Sequence, residues 1–271
     1  MVFPAALSDI RTLWRQEICS THPWQPDTTG ILAPGEAGGY RVRCDGFPFG
    51  AYLKPTKIDA NTPRAANEKI VADLATDLGF DVPPVLLYRR TGCPPGEEFC
   101  CCVSLILYPE LYQWGLVWNL WNLPNMEAVL RGIVGASLAQ YSGNVALDLW
   151  IGQTDRNNAG NVVFGIDPKN RAEGGFVFLD HAFTLNYQNR WAGNGWQAIT
   201  MVPLPPPFLD CINKPLVLAA CERIAGISDD AVAAIVNRMP DSFMPGAHRT
   251  IVTTGLNGRK PLLREFVEGT L

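Results

Sequence analysis

The chain has 271 residues, 47% of them hydrophobic and 18% charged, with a formal net charge of -4. That length suits one two-lobed domain with a sizeable core, and the composition is too apolar for a disordered chain. Acidity without a long Lys or Arg run argues against nucleic acid as a main partner, because affinity for a phosphate backbone comes from clustered cations.

In chain order, Ser8 to Cys19 reads as an amphipathic helix, with Ser8 as N-cap and Ile10, Leu13, Trp14 and Ile18 at helical spacing. A turn-rich region from His22 to Gly39 follows. Two strands, Tyr40 to Cys44 and Phe49 to Lys54, are separated by Asp45-Gly46, a hairpin signal. Thr62 and Pro63 open a second helix as N-cap and first helical residue, and Gly79 stops it after Leu78. Its apolar stripe is Ile70, Val71, Leu74, Ala75 and Leu78. Glu68 lies on the edge of that stripe beside Val71 and Ala75, so it can face the sheet.

Val85 to Arg89 and Phe99 to Leu107 read as further strands joined by a Gly/Pro turn. The chain to this point is a small lobe of strands with one main helix. The apolar run from Trp114 to Leu123, closed by Pro124, reads as core, with an exposed docking patch as the alternative. Helices prevail from Asn125 onward: one capped by Asn125 and running through Tyr141, then Val145 to Ile151, which feeds a polar loop. Two short strands, Asn161 to Phe164 and Phe176 to Asp180, flank the turn at Asp167-Pro168. A loop-like region rich in Trp, Gly and Pro spans Asn189 to Pro207, and helices resume at Lys214 to Ala225, at Asp229 to Arg238 and at the C-terminus.

Eight cysteines are present, three of them consecutive at Cys100, Cys101 and Cys102. Neighbouring strand residues point to opposite faces, so the triplet reads as a buried apolar strand rather than a disulfide staple. No CxxC pair occurs and the three histidines are scattered, which argues against structural zinc. No stretch of about 18 apolar residues runs without a charge or a helix breaker, so no membrane span is expected. Together with the lack of an N-terminal signal pattern, this gives a cytoplasmic location with reduced thiols.

The chemistry concentrates in Leu147 to Asn161 and in Phe178-Leu179-Asp180-His181. An apolar helix ending in a polar loop, then a strand, then an acid at the end of a second strand, is the order in which kinases build a phosphoryl-transfer centre. Lys54, on a strand edge, can reach phosphates as a compact cation, and Glu68 can hold its ammonium in place. Asp155 can orient or deprotonate an acceptor hydroxyl, while Asn161 and Asp180 supply hard oxygens for magnesium. Taken singly, each has an ordinary reading as a solvated lysine, a helix-edge glutamate or a turn-forming aspartate. Their order along the chain is what points to a kinase. Gly35, Gly38 and Gly39 could let backbone amides approach the phosphates, although a flexible hairpin connection explains them equally well. His181 reads as a support for the loop of Asp180, and Arg156 as a partner for a carboxylate.

At Ala51-Tyr52-Leu53-Lys54, Asn67-Glu68, Gly79-Phe80-Asp81-Val82-Pro83, Thr154-Asp155-Arg156 with Asn161, and Phe178-Leu179-Asp180-His181, the chain resembles the HipA-like kinases. These are relatives of the phosphatidylinositol kinases within the protein-kinase-like superfamily. The likeness spans the chain from about Gly30 to the last helix, without the extra N-terminal subdomain of full-length HipA proteins. It implies an α+β, two-lobed protein-kinase-like fold, with a small β-rich N-lobe over residues 1–107 and a larger helical C-lobe over 108–271. It also implies ATP and Mg2+ as cofactors, Lys54 on the phosphates, Asp155 as catalytic acid/base, and Asn161 and Asp180 on the metal. The strand end from Leu105 through Ile106 to Tyr108 would be the hinge that meets adenine.

The resemblance implies a Ser or Thr of a protein as acceptor, and an antitoxin-like partner is conceivable. A loop Ser can be autophosphorylated in such kinases; here no Ser lies between Ser20 and Ser104, which leaves Thr28 and Thr29 as substitutes. Asp155 and Asn161 stand one residue further apart than in the H-R-D-x-x-x-x-N pattern. Either the loop bulges by a residue or Asn158 takes the metal role. Two rivals share these residues: a lipid or small-molecule kinase, and a nucleotide-binding module without turnover.

Overall fold

The computed structural model describes residues 7–27, 39–54, 63–89, 100–108, 110–114, 119–120, 123–156, 158–167, 170–185, 199 and 212–271. Helix α1 (Leu7–Gln16) precedes β1 (Gln25–Pro26), β2 (Tyr40–Arg43), β3 (Ala51–Lys54), α2 (Arg64–Leu78), β4 (Val85–Arg89) and β5 (Cys100–Leu105). These strands form one antiparallel sheet in the order β1-β2-β3-β5-β4. A second sheet, β6-β7-β8, is made by β6 (Glu110–Gln113), β7 (Val162–Asp167) and β8 (Asn170–Phe178). It packs against α3 (Met126–Ile151), beside α4 (Lys214–Gly226), α5 (Asp229–Asn237), α6 (Gly246–Arg259) and α7 (Leu262–Thr270). The result is the expected β-rich lobe followed by a helical lobe. Among the described residues, no helix is long and apolar enough to cross a membrane.

Helix α2 ends as expected at Gly79, whose φ of 70° is the left-handed stop that spares a Cβ clash. Its burial is broader than the apolar stripe. Asn67, Glu68, Lys69 and Asp73 are buried alongside Ile70 and Leu74, because the sheet covers one side of the helix and α1 and α5 cover the other. Ser8 lies inside the first turn of α1 rather than at its cap, and its carbonyl accepts from Thr12 Oγ1 at 3.0 Å. Trp14 stacks on Phe47 with ring centroids 5.8 Å apart, and Trp24 meets Trp14 edge-on at 6.1 Å, which anchors α1 to the β2–β3 hairpin. Just after α1, Leu87 donates to Ile18 O at 2.9 Å and Ser20 donates to Leu87 O at 2.8 Å, covering the edge of β4.

The cysteine triplet behaves as a buried strand. Cys101 and Cys102 face opposite sides of β5 at 0% and 1% exposure, and they are free thiols, as are Cys19, Cys44 and Cys221. The two helices expected between Asn125 and Ile151 are one continuous α3. Ser142 and Asn144, which look like a break, are instead buried within it. Asn125 sits at its start with φ 68° and no side-chain cap. Of the run from Trp114 to Leu123, Trp114 is core at 1% exposure while Leu120 and Leu123 are exposed. Residues 115–118 and 121–122 lie outside the described residues.

The β7–β8 hairpin is longer than expected and sits on an aromatic cluster. Phe176 meets Trp114 at 4.9 Å, Tyr141 at 5.2 Å and Phe164 at 5.2 Å, all edge-on. On its other face Tyr108 lies over Gly165, which pairs with Gly175. A Cβ at Gly165 would fall 2.1 Å from Tyr108 Cδ2 and 2.8 Å from its Cβ, so neither group can move aside cheaply. Gly165→Ala is therefore expected to cost about 1–3 kcal/mol by urea unfolding, as overpacking does. Tyr108→Ala in the same chain should recover part of that loss, and additive costs would show that the two residues do not meet.

Candidate active site

Lys54 closes β3 and Glu68 lies one turn into α2; the Lys54 Nζ donates to Glu68 Oε1 at 2.5 Å. Asp180, at the end of the segment after β8, brings Oδ1 to 3.6 Å from the same ammonium. Three residues far apart in sequence thus meet at one point. Glu68 is buried, whereas Lys54 and Asp180 keep partial access to solvent, at 20% and 34% side-chain exposure. Burial alone would depress the Lys54 ammonium, but Glu68 and then Asp180 outweigh it and its pKa is raised. Burial alone would raise the Glu68 carboxyl, but Lys54 and then His181 outweigh it and its pKa is lowered.

The pH window of this pair follows from those directions. A lowered acid contributes fully above its ordinary value of 4.5, and a raised base contributes fully below its ordinary value of 10.5. The pair therefore stays intact from weak acid to strong base. It is lost only as pH falls through the depressed Glu68 value or rises through the elevated Lys54 value.

Arg156 organises the loops around this centre. Fully buried, it donates from Nε and Nη2 to the two Asp148 carboxylate oxygens at 2.7 and 3.0 Å, and from Nη1 to Asn161 O and Leu179 O at 2.6 Å each. A planar guanidinium suits this fork of acceptors. Its Nη2 also lies 3.2 Å from His181 Nε2. The other ring nitrogen of His181, Nδ1, faces Glu68 Oε2 at 3.8 Å. His181 is thus buried with its ring facing Glu68 and Arg156 rather than the loop of Asp180 alone, and Arg156 has its carboxylate partner in Asp148.

The loop itself is built by Gln153. Its side-chain oxygen accepts from Thr154 N at 2.8 Å and Asp155 N at 3.0 Å, and its amide donates to Asp180 O at 2.8 Å. One buried side chain therefore joins the segments that carry Asp155 and Asp180. Asn161 Nδ2 donates to Asp155 Oδ2 and to Asp155 O, both at 2.9 Å. Asn158 caps the short 3-10 turn over Ala159–Asn161, accepting from Gly160 N at 3.1 Å. Asn161, not Asn158, is the asparagine that meets Asp155. Asn67 adds a tie from α2, donating to Ala182 O at 3.1 Å and Thr184 O at 2.9 Å. Asp180 itself has φ 57°, a left-handed conformation that Asp tolerates better than most residues.

Other expected residues lie apart from this cluster. Leu105 N donates to Pro84 O at 3.0 Å and Ile106 N to Gly50 O at 2.9 Å, so these two amides are used within the N-terminal lobe. The Tyr108 ring covers Gly165 on the other lobe. Gly39 O accepts from Tyr52 Oη at 3.0 Å, while Gly35 and Gly38 lie outside the described residues, as do Thr28, Thr29 and, apart from Ile199, the segment from Asn189 to Pro207. Asp148, Gln153 and Asn67 are the site-building residues that sequence reasoning missed. Asp148 carried a signal as a lone acid in the apolar run Leu147-Asp148-Leu149-Trp150, eight positions before Arg156.

No family model matches the chain, and no curated protein matches it in sequence. The crystal structure of the Helicobacter pylori proinflammatory kinase CtkA superposes on it with a TM-score of 0.61, covering 93% of this chain and 98% of that one at 17% identity. This chain has a kinase fold. The β-rich lobe, β1 to β5 with α2, carries Lys54 and Glu68, and the segments after α3 carry Asp155 and Asp180. WaaP in complex with acyl carrier protein aligns at a TM-score of 0.36 and 11% identity over 96% of this chain and 92% of that one. A superposition at that level fixes no correspondence of residues.

Proposed function

We propose that the protein is an ATP-dependent phosphotransferase that moves the γ-phosphoryl group to a hydroxyl. The observation that carries this reading is the meeting of Lys54, Glu68 and Asp180, with Asp155 and Asn161 tied to the same loops by Gln153 and Arg156. Phosphoryl transfer asks for positioned charge more than covalent help, and this arrangement supplies it. Lys54, kept cationic and steered by Glu68, would bind the phosphates. Asp155, with one oxygen held by Asn161, would orient the acceptor hydroxyl and take its proton.

The donor set also fits Mg2+. Asn161 spends its amide nitrogen on Asp155, so its amide oxygen would serve the ion together with the Asp180 carboxylate. Two hard oxygens completed by phosphate and water are the usual protein share of such a site. Bound there, Mg2+ would neutralise charge on the triphosphate. Val163 and Val177 of the C-lobe sheet join the apolar cluster that holds Val42, Ala51, Leu105 and Leu107 of the N-lobe, and these would flank adenine. With the Leu105 and Ile106 amides committed, the base would meet carbonyls there and the backbone of residues 107 and 108.

The finer assignment, a HipA-like kinase acting on Ser or Thr of a protein in the cytoplasm, is supported by the Asp155-Arg156 order, by the buried role of that arginine and by the free thiols. Incubation with labelled ATP and Mg2+ tests the reaction, and cell extract shows whether label enters protein, lipid or neither. Lys54→Met should lower turnover about 10^2-fold, the scale of one lost electrostatic contact. A parent protein that neither binds nor turns over ATP would reject this reading, and binding without turnover would favour a nucleotide-binding module.

A further inference from the structure

The last carbonyls of a helix have no partner within it. In α1 these include Trp14, Arg15 and Gln16, and each is met by a cation from elsewhere. Lys69 Nζ donates to Trp14 O at 2.6 Å, Arg238 Nη1 donates to Arg15 O at 2.7 Å, and Arg238 Nη2 donates to Gln16 O. Cations at this end also oppose the negative pole of the helix dipole. Lys69 belongs to α2 and Arg238 follows α5, so the end of α1 bridges the two lobes on the side of α2 away from the sheet.

The two cations share one acid. Asp73 Oδ1 accepts from Lys69 Nζ at 2.8 Å, and Asp73 Oδ2, buried and without a hydrogen bond, lies 3.9 Å from Arg238. Arg15 adds a bond to Asp77, one turn further along α2, at 2.8 Å. Lys69 and Asp73 have side-chain exposures of 0% and 3%. A buried ion pair is often no more stable than the apolar pair that could replace it, so its worth lies in fixing geometry.

That geometry concerns Glu68. Lys69 is its neighbour on α2, with Glu68 turned inward to Lys54 and Lys69 outward to α1. A rotation or outward swing of α2 that withdrew Glu68 would have to pull Lys69 from Trp14 O and move Asp73 from Arg238. We propose that Lys69, Asp73 and Arg238 are positioning residues for the phosphotransferase site, using the end of α1 to hold α2 in the setting that keeps Glu68 on Lys54. This rests on the kinase reading for its consequence in turnover, and on geometry alone for its effect on α2.

Arg238→Ala is the direct test, because Arg238 is partly exposed and far from the reacting groups. The variant should lower kcat/KM for Mg-ATP about fivefold or more, as expected when the competent setting becomes a fraction of the population. Hydrogen exchange of amides 64–78 should rise in the same variant, and Arg238→Lys should recover part of both effects. The double change Lys69→Met, Asp73→Leu, which removes the buried pair as a unit, should also lower kcat/KM without a matching loss of Tm. Parent-like kcat/KM and parent-like exchange in Arg238→Ala would overturn the proposal, as would a fall in Tm with kcat/KM unchanged well below it. A parent protein with no turnover would refute the kinase reading instead, and the exchange of residues 64–78 would then decide the positioning role by itself.

Discussion

Asp180→Asn is expected to cut ATP turnover by ~10^3-fold while leaving Tm within a few degrees of the parent. The substitution keeps the size of the side chain and its tolerance for the left-handed backbone, with φ 57°, on which this position depends. It also leaves the Asp180 carbonyl in place to accept from Gln153, so the loop should hold its shape. What it removes is one negative charge, both beside Lys54 and at a ligand oxygen suited to Mg2+, leaving a neutral amide oxygen that holds the ion less well. The side chain is about a third exposed, so little packing is lost. Release of phosphate from ATP measures the effect. Turnover within tenfold of the parent would mean that Asp180 does not hold the metal.

Arg156→Leu should have the largest effect on stability. The side chain is fully buried and serves Asp148, Asn161 and Leu179 at once, with its guanidinium 4.7 Å above the Phe178 ring. Removing it strands the buried Asp148 carboxylate, which costs about 3–5 kcal/mol. For a chain of this size that corresponds to a fall in Tm of about 10 °C. Arg156→Lys keeps the charge but cannot reach both carboxylate oxygens and both carbonyls, so it should restore only part of the loss. Adding Asp148→Leu to Arg156→Leu should recover stability by removing the stranded charge, yet turnover should stay low because the Asn161 and Leu179 carbonyls have lost their tie. A thermal scan of Arg156→Leu that overlays the parent's would show that the arginine does not organise these loops.

Much of this molecule was legible before any coordinates. Local signals sufficed for β4, for α2 with its stop at Gly79 and for α4 and α5, because hydrophobic period and turn residues act over a few positions. Order along the chain sufficed to gather Lys54, Glu68, Asp155, Asn161 and Asp180 into one hypothesis. Other features depend on partners distant in sequence. Glu110 to Gln113 shows no alternation because all four residues of this edge strand are exposed, so β6 left no pattern to read. Ser142 and Asn144 resembled a helix break, and only the packing of the C-lobe explains why they lie inside α3. Gln153 looked like an ordinary loop residue, since its importance comes from a carbonyl twenty-seven positions away. Nor does spacing alone tell that Asn158 caps a turn while Asn161 meets Asp155.

The capping of α1 has a consequence for how the chain is made. Helix α1 is made well before its capping group, and two of its terminal carbonyls wait for Arg238, more than two hundred residues further along the chain. A nascent chain therefore carries a helix end that only water can cap at these two carbonyls until Arg238 has been added. Closure of that joint can only follow synthesis of the chain through Arg238, which ties the settling of α1 to residues of the helical lobe.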